Sequence, residues 1–283
     1  MKLAGVVILY NPDEALIERV DTYRHYLDKL IVVDNSEISN QEIIRPLWEN
    51  KDVHFIHNGK NEGISKRLNE AATIAIKNGF DWLLTMDQDS YFEKGVFDAY
   101  LNCISQYENI DNVAMFGIEY DERNVSQSPC DFQQVNHLIT SGSLVNLKIF
   151  NELKGFDVAL FIDNVDHEYC FHAKAVGYEI VKVQDIFLQH SLGVVSQHRS
   201  LKNLSLTPRT LHSPIRMYYT VRNYFYLSEK YSKLFPEDIK EIKKSILNRI
   251  KNNLLYNEKR MQVLKNIIKG YADYKNGRMG KIS

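Results

Sequence analysis

The sequence predicts an α/β fold: a mostly parallel sheet flanked by helices, with a helical extension at the carboxyl end. Three observations carry this reading. Short apolar runs alternate with amphipathic stretches four times in the first ninety residues, as right-handed crossovers between parallel strands require. The runs are apolar and rich in β-branched residues, so the sheet is covered on both faces. Each run also ends in polar residues, on the side of such a sheet where ligands bind. On this reading residues 1–210 form the α/β domain and 211–283 the helical extension.

The elements follow in order. Lys2 to Tyr10 is a buried strand, broken by Asn11-Pro12-Asp13, and a helical pattern runs on to about His25. Leu30 to Val33 is the second strand, ending at Asp34-Asn35-Ser36, and a helix covers about Gln41 to Glu49. Val53 to Ile56 is a short third strand. The glycine-punctuated loop Asn58 to Gly63 precedes an amphipathic helix from Ile64 to Asn78. Asp81 to Met86 is the fourth strand and runs into Asp87-Gln88-Asp89. A helix at about 93–107 and a strand at 112–120 come next, then a polar stretch, 121–134, that reads as loop. His137 to Val145 reads as a strand; its small residues Thr140 to Ser143 allow a close approach by ligand or backbone. An acidic cluster, Asp163, Asp166 and Glu168, opens a helix ending before Gly177. Strands at 179–183 and 186–188 lead to His190. Leu211 to Tyr224 starts an amphipathic helix carrying Arg216, Arg222 and three tyrosines. Beyond Pro236 two more helices are marked by Ile239, Ile242, Ile246 and Ile250, and by Met261, Leu264, Ile267, Ile268 and Tyr271.

Composition is that of an ordinary globular chain: 44% hydrophobic, 25% charged, net charge −1. Overall charge gives no reason to expect a nucleic-acid partner. The three cysteines are widely spaced, without C-x-x-C, which points to reduced thiols and a cytoplasmic protein rather than a disulfide framework or zinc site. No stretch approaches the ~20 apolar residues of a membrane span, and the apolar start lacks a cleavage site. Charge is unevenly placed: Lys240 to Ser283 carries twelve basic against three acidic residues, leaving −10 on the rest. A basic tail on an acidic body points to a membrane surface or another anionic partner. The apolar faces of the same helices can instead pack on the body or on a second copy.

Asp87 and Asp89 form a D-x-D motif at a strand's carboxyl end. Two carboxylates spaced i, i+2 on an extended chain point to one side. They repel unless a cation lies between or beside them. Oxygen ligands favour Mg²⁺ or Mn²⁺, with phosphate and water completing the shell. A polar turn accounts for the motif equally well by itself. No G-x-G-x-x-G follows the first strand, which excludes a dinucleotide Rossmann unit, and no G-x-x-x-x-G-K-[ST] P-loop appears either. Arg216 and Arg222 are candidates to clamp phosphate oxygens, or pair with surface acids.

Seven stretches lie in a set order over about residues 5–224: Val7 to Pro12, Val32 to Ser36, Asn61 to Ile64, Met86 to Ser90, Phe161 to Asp166, His190 to Gly193 and His212 to Tyr219. Together they make the chain resemble the family 2 glycosyltransferases of the GT-A fold, in their rhamnosyltransferase-like branch. The resemblance implies an inverting, metal-dependent hexosyltransferase. It would move a sugar, L-rhamnose from dTDP-rhamnose, to a saccharide or lipid-linked saccharide in cell-surface polysaccharide synthesis. Residues 1–210 would then bind the nucleotide-sugar and hold the catalytic groups. Asp34 would bind the base and Tyr10 line its pocket, with Asn11, Asn61, Gly63, Arg216 and Tyr219 also around the nucleotide-sugar. Asp87 would hold the ribose, and Asp89 with His190 the Mg²⁺ or Mn²⁺ on the diphosphate. Asp166 would be the catalytic base, with Asp163 as the alternative; Val165 stands where many relatives carry Glu, and His172 where they carry Arg. A lipid-linked acceptor would bring the enzyme to the inner face of the cytoplasmic membrane.

The residue types suit that chemistry. Charge develops on the leaving nucleotide diphosphate, where a cation stabilises it. A carboxylate takes the acceptor's hydroxyl proton, best with a pKa raised by burial or neighbouring acids. One displacement implies inversion. Two other classes compete. A non-catalytic nucleotide-sugar or glycan-binding protein of the same fold need not keep both acidic clusters. A nucleotide-sugar pyrophosphorylase would need a glycine-rich basic loop after the first strand.

Overall fold

The computed structural model describes residues 1–119, 130–190, 195–199 and 206–282. The chain divides into two compact units: Met1–Asp157 with Val165–Ser191, and Val158–Asn164 with Leu192–Ser283.

The first unit is built on an eight-stranded mixed sheet. Its strands are β1 (Leu3–Leu9), β2 (Lys29–Asp34), β3 (Val53–His57), β4 (Trp82–Asp87), β6 (Val113–Glu119), β7 (Phe132–Gln134), β8 (Ser143–Asn146) and β9 (Glu179–Phe187). β5 (Ser90–Tyr91) and β10 (Gln189–His190) form a separate antiparallel pair. The main sheet runs β3-β2-β1-β4-β8-β6-β9-β7. β1 is parallel to both β2 and β4, and β2 to β3, so the four amino-terminal strands discharge at one edge. β8 enters antiparallel between β4 and β6. Helices α1 (Leu16–Asp21), α2 (Gln41–Trp48), α3 (Ile64–Lys77), α4 (Val96–Ile104), α5 (Leu147–Leu153) and α6 (Val165–Ala175) complete the unit. All seven residues of β1 are buried, as a central parallel strand requires.

Several expectations change. Only the end of the expected strand 137–145 joins the sheet. At Gly142 the backbone turns to φ +72°, and a Cβ there would meet Ile118 Cδ1 at 2.8 Å. Its N–H donates to the Thr85 carbonyl at 2.8 Å. α5 follows β8 directly, with Asn146 accepting from the Lys148 and Ile149 amides, and was not expected. β7 lies within the stretch read as loop, whose residues 121–129 fall outside the described ones. The two strands expected at 179–188 are one, β9, which passes through Asp185 at φ +61° without ending. Cys103 of α4 and Cys130 form a disulfide, where reduced thiols were expected, so the cysteines no longer argue for a cytoplasmic protein. Spacing along the chain carries no information on the 4.9 Å that separates their Cα atoms after folding.

The second unit holds the hairpin β11 (Val195–Arg199) and β12 (Leu206–Thr210), which was not expected, and helices α7 (Pro214–Tyr231), α8 (Pro236–Tyr256) and α9 (Arg260–Lys275). Ser213 caps α7 by accepting from the Arg216 amide, with Pro214 in the first turn. α9 reaches α7 at Gly270, where a Cβ would lie 2.6 Å from the Tyr218 carbonyl oxygen. Ile239, Ile242 and Ile246 of α8 are buried. No helix among the described residues is long and apolar enough to cross a membrane.

Candidate active site

In the first unit the ends of β1, β2 and β4 are joined by side-chain bonds to backbone. Gln88, just past β4, accepts from the Tyr10 amide at 2.7 Å and donates to the Tyr10 carbonyl at 3.1 Å. Asn11, at φ +48°, donates its amide to Ser36 Oγ at 2.8 Å. Asp34 is fully buried at the end of β2. Its Oδ1 accepts from the Ser36 amide at 3.0 Å, while its Oδ2 has no hydrogen-bond partner. His57 Nε2 stands 4.0 Å from that oxygen and bonds the Ser36 carbonyl instead. A buried carboxylate oxygen without a donor is costly. A ligand N–H would satisfy it, and the imide N–H of uracil or thymine is such a donor.

The loop before α3 is held just as firmly. Asn35 donates to Asn61 Oδ1 at 3.0 Å and accepts from the Glu62 amide and from Arg67 Nε. Asn61 Oδ1 also receives the Gly63 amide, at 3.1 Å, where φ is +84°. Arg67 is 1% exposed. Its guanidinium reaches Asn58, the Lys60 carbonyl and Glu70 as well as Asn35. Sequence reading missed Arg67 and Gln88. A signal existed for Arg67: it shares the helical stripe of Leu68, Ala71 and Ala75, so a charge sits in a core register.

At the end of β4, Gln88 and Asp89 turn into β5, so Asp87 and Asp89 do not lie on one extended strand as expected. The Asp87 amide is held by Ser141 Oγ at 3.1 Å. The register Ser90–His190 between β5 and β10 brings His190 to Asp89. Nδ1 lies 3.5 Å from Asp89 Oδ1 and 3.0 Å from Ser90 Oγ, and both side chains are partly exposed. Among the described residues, no three His, Cys, Asp or Glu side chains converge as a metal site. One carboxylate and one imidazole fit a hard divalent cation that takes the rest of its shell from diphosphate and water. Ser191-Leu192-Gly193, part of the motif around His190, lie outside the described residues.

Asp166 lies in the first turn of α6. Its Oδ1 accepts from the His167 amide at 2.9 Å and from His167 Nδ1 at 3.0 Å. The His167 ring stacks on His137 at 4.5 Å, and both meet the edge of Phe171. Burial pushes the Asp166 carboxyl up, but the His167 charge and hydrogen bonds outweigh it and hold it below the ordinary value. A raised pKa was expected from neighbouring acids; the neighbour that dominates is a histidine.

Within the second unit, Asp163 is committed to α7. Its Oδ1 accepts from Arg216 Nε and Nη2 at 3.3 and 3.2 Å, and its Oδ2 from Thr220 Oγ1 at 3.0 Å. Arg216 remains half exposed. Tyr219 is buried, stacked on Phe161 at 5.0 Å, and accepts from the Ile282 amide. Arg222, a candidate for phosphate, is fully buried and spent on the carbonyls of Ala159, Leu160 and Gly280. Asn223 Nδ2 donates to the carbonyls of Leu160, Ile162 and Asp163.

Comparison with known proteins bears on the family and the fold. The dTDP-rhamnosyl transferase RfbF of Shigella flexneri is 29% identical over 248 residues, covering 80% of this chain and 79% of that one. TarS of S. aureus, solved as residues 1–349 with UDP-GlcNAc, superposes with a TM-score of 0.57 at 16% identity, covering 97% of this chain and 80% of that one. GalNAc-T7, solved with UDP, GalNAc and Mn²⁺, gives 0.52 at 14% identity; the match spans 67% of this chain but only 44% of that one. These structures share the GT-A fold. The model of Glycosyl transferase family 2 matches residues 6–164, more than half the chain, and with the strand ends arranged as described, the chain belongs to glycosyl transferase family 2.

Proposed function

We propose that the sugar transferred is L-rhamnose, carried on dTDP, and that it passes with inversion to a saccharide or lipid-linked saccharide at the cytoplasmic face of the membrane, in cell-surface polysaccharide synthesis. The observation that carries the nucleotide part is Asp34, whose buried, unpartnered Oδ2 suits the imide N–H of thymine or uracil. Tyr10, Asn11, Asn61 and Gly63 frame that base, and Asp87 takes the ribose. The choice of rhamnose rests on the likeness to the Shigella flexneri transferase. Arg216, exposed beside Asp163 in the second unit, suits a phosphate oxygen. Tyr219, buried under Phe161, supports α7 rather than lining a pocket.

Asp166 is the base. Held below the ordinary carboxylate range, it is ionised at neutral pH and so free to accept a proton. His167 holds Oδ1, which leaves Oδ2 to take the proton of the acceptor hydroxyl as that oxygen bonds the anomeric carbon. The bond from that carbon to the diphosphate breaks with its electrons on the nucleotide. Asp163 is the weaker candidate, since Arg216 and Thr220 occupy both its oxygens. Asp89 and His190 would hold Mg²⁺ or Mn²⁺, which when bound supplies Lewis-acid stabilisation to the leaving diphosphate.

The test is transfer from dTDP-rhamnose, followed as dTDP release. Asp166→Asn should lower kcat by roughly 10²–10⁴ with the donor Kd unchanged, and excess chelator should stop the wild type. Full activity in the variant would remove Asp166 as base; full activity in chelator would remove the metal.

A further inference from the structure

Among the described residues, the outer face of α9 is largely left to solvent. Met261, Leu264, Ile268 and Tyr271 are 64, 38, 60 and 45% exposed. Their spacing of three, four and three residues puts them on one stripe. Val263, Gly270 and Asp273, on the opposite side of the helix, are the residues it buries. The stripe is therefore not the core of this unit. The Tyr271 ring is backed by Phe225 of α7 at 4.8 Å, which fixes it at the stripe's end. Along α8 a second exposed row mixes the two chemistries: Lys244, Leu247, Lys251 and Leu255, with Lys240 at its start paired to Glu237 at 3.3 Å. Lys243 and Lys265 stand exposed beside these rows.

We infer that the apolar stripe of α9 docks on an anionic lipid bilayer, with the exposed lysines of α8 and α9 drawn to its headgroups. Charge selects the occupant. From Lys240 to Ser283 the chain carries twelve basic and three acidic residues. A second copy seated on the same face would bring two such strongly positive segments together, and like charges at an interface are heavily penalised. An anionic leaflet reverses that sign. An apolar stripe four residues long, edged by lysines whose stems can lie along the hydrocarbon boundary, is the pattern of a helix lying in the membrane interface rather than crossing it. The stripe spans about 15 Å of helix at 1.5 Å per residue. Tyr271 adds an aromatic ring of the kind favoured at headgroup depth. Neither half is sufficient for firm attachment: the apolar area is small, and charge attraction fades within a Debye length. Binding should therefore need anionic lipid and weaken with salt. The inference does not depend on the sugar, acceptor or catalytic base.

Co-sedimentation of the full chain with vesicles tests it. One set is phosphatidylcholine alone, the other equal parts phosphatidylcholine and phosphatidylglycerol, each at low and high salt. The wild type should pellet with the anionic vesicles at low salt and little with the neutral ones. Replacing Lys243, Lys244, Lys251 and Lys265 together by Gln should weaken anionic binding by roughly a hundredfold or more. Leu264→Ser with Ile268→Ser should weaken binding while leaving its salt dependence. All these positions are exposed, and thermal melts check that the variants stay folded. Equal binding to both lipids, or none to either, overturns the inference. So does concentration-dependent dimerisation that Ile268→Ser abolishes, which would give the stripe to a second copy.

Discussion

On the proposed role of Asp34 in binding the base, Asp34→Asn should weaken nucleotide binding without weakening the free fold. The carboxylate is fully buried, with one oxygen on the Ser36 amide at 3.0 Å and the other unpartnered. The free protein thus carries part of the cost of an unsatisfied buried acceptor, about 1–3 kcal/mol and more for a charge. Asparagine has the same shape and no charge. With its oxygen kept on the Ser36 amide, its NH₂ replaces Oδ2 and faces the ligand. Two consequences follow. The ligand-free melting temperature should be unchanged or rise by a few degrees, since 1 kcal/mol corresponds to about 2–4 °C for a domain of this size. A charge-assisted hydrogen bond of about 1.5–3 kcal/mol to the base should be lost, weakening binding by roughly 10- to 150-fold. Calorimetric titration with dTDP and with UDP measures this. Both bases carry the imide N–H, so both should lose the same factor. An unchanged Kd for both would refute the reasoning; a loss accompanied by a lower melting temperature would mean Asp34 is structural.

Two further outcomes follow from the ionisable groups. His167→Ala removes the partner that lowers the Asp166 carboxyl. The acid limb of the kcat profile should therefore move to higher pH, and His167→Asn, which keeps a donor near the Nδ1 position but not the charge, should move it only part of the way back; an unmoved limb in the alanine variant would detach His167 from the base. Asp273 is buried on α9. Burial raises its carboxyl, but hydrogen bonds from Lys269, Tyr218 and Arg278 outweigh that and hold it below the ordinary value. Because the folded-state pKa is the lower one, Asp273 contributes stability above the ordinary carboxylate pKa of about 3.9. That contribution is lost as pH falls through the folded value. Asp273→Asn should flatten the acid side of the stability curve, read by denaturant unfolding at stepped pH, and an unaltered slope would count against the linkage.

The parallel half of the sheet was legible because its signals are local. Buried strands and crossover helices announce themselves by apolar period, and residues at strand ends fall on the binding edge by topology alone. Asp34 and the D-x-D carboxylates stand at such ends, although the turn at Gln88 separates those carboxylates differently from a strand. What escaped depends on partners far along the chain. Gln88 matters through Tyr10, and Cys103 through Cys130. The acidic loop is the sharpest case. Phe161, Asp163 and Asn164 all adopt positive φ, at 58°, 64° and 62°, with no glycine among them. Each such residue costs about 1–3 kcal/mol, so propensity argues against this backbone. It persists because Arg222 and Asn223 bond the carbonyls from Ala159 to Asp163 across about sixty residues of sequence. Arg222 read alone suggested a phosphate clamp, and Asp163 a rival base. Folded, the arginine is a buried brace, and the carboxylate answers to Arg216 and Thr220. A charged residue inside an apolar helical stripe is thus ambiguous between ligand and brace. Burial decides it: Arg67 and Arg222 have their donors consumed by the protein, whereas Arg216, half exposed, keeps donors to offer.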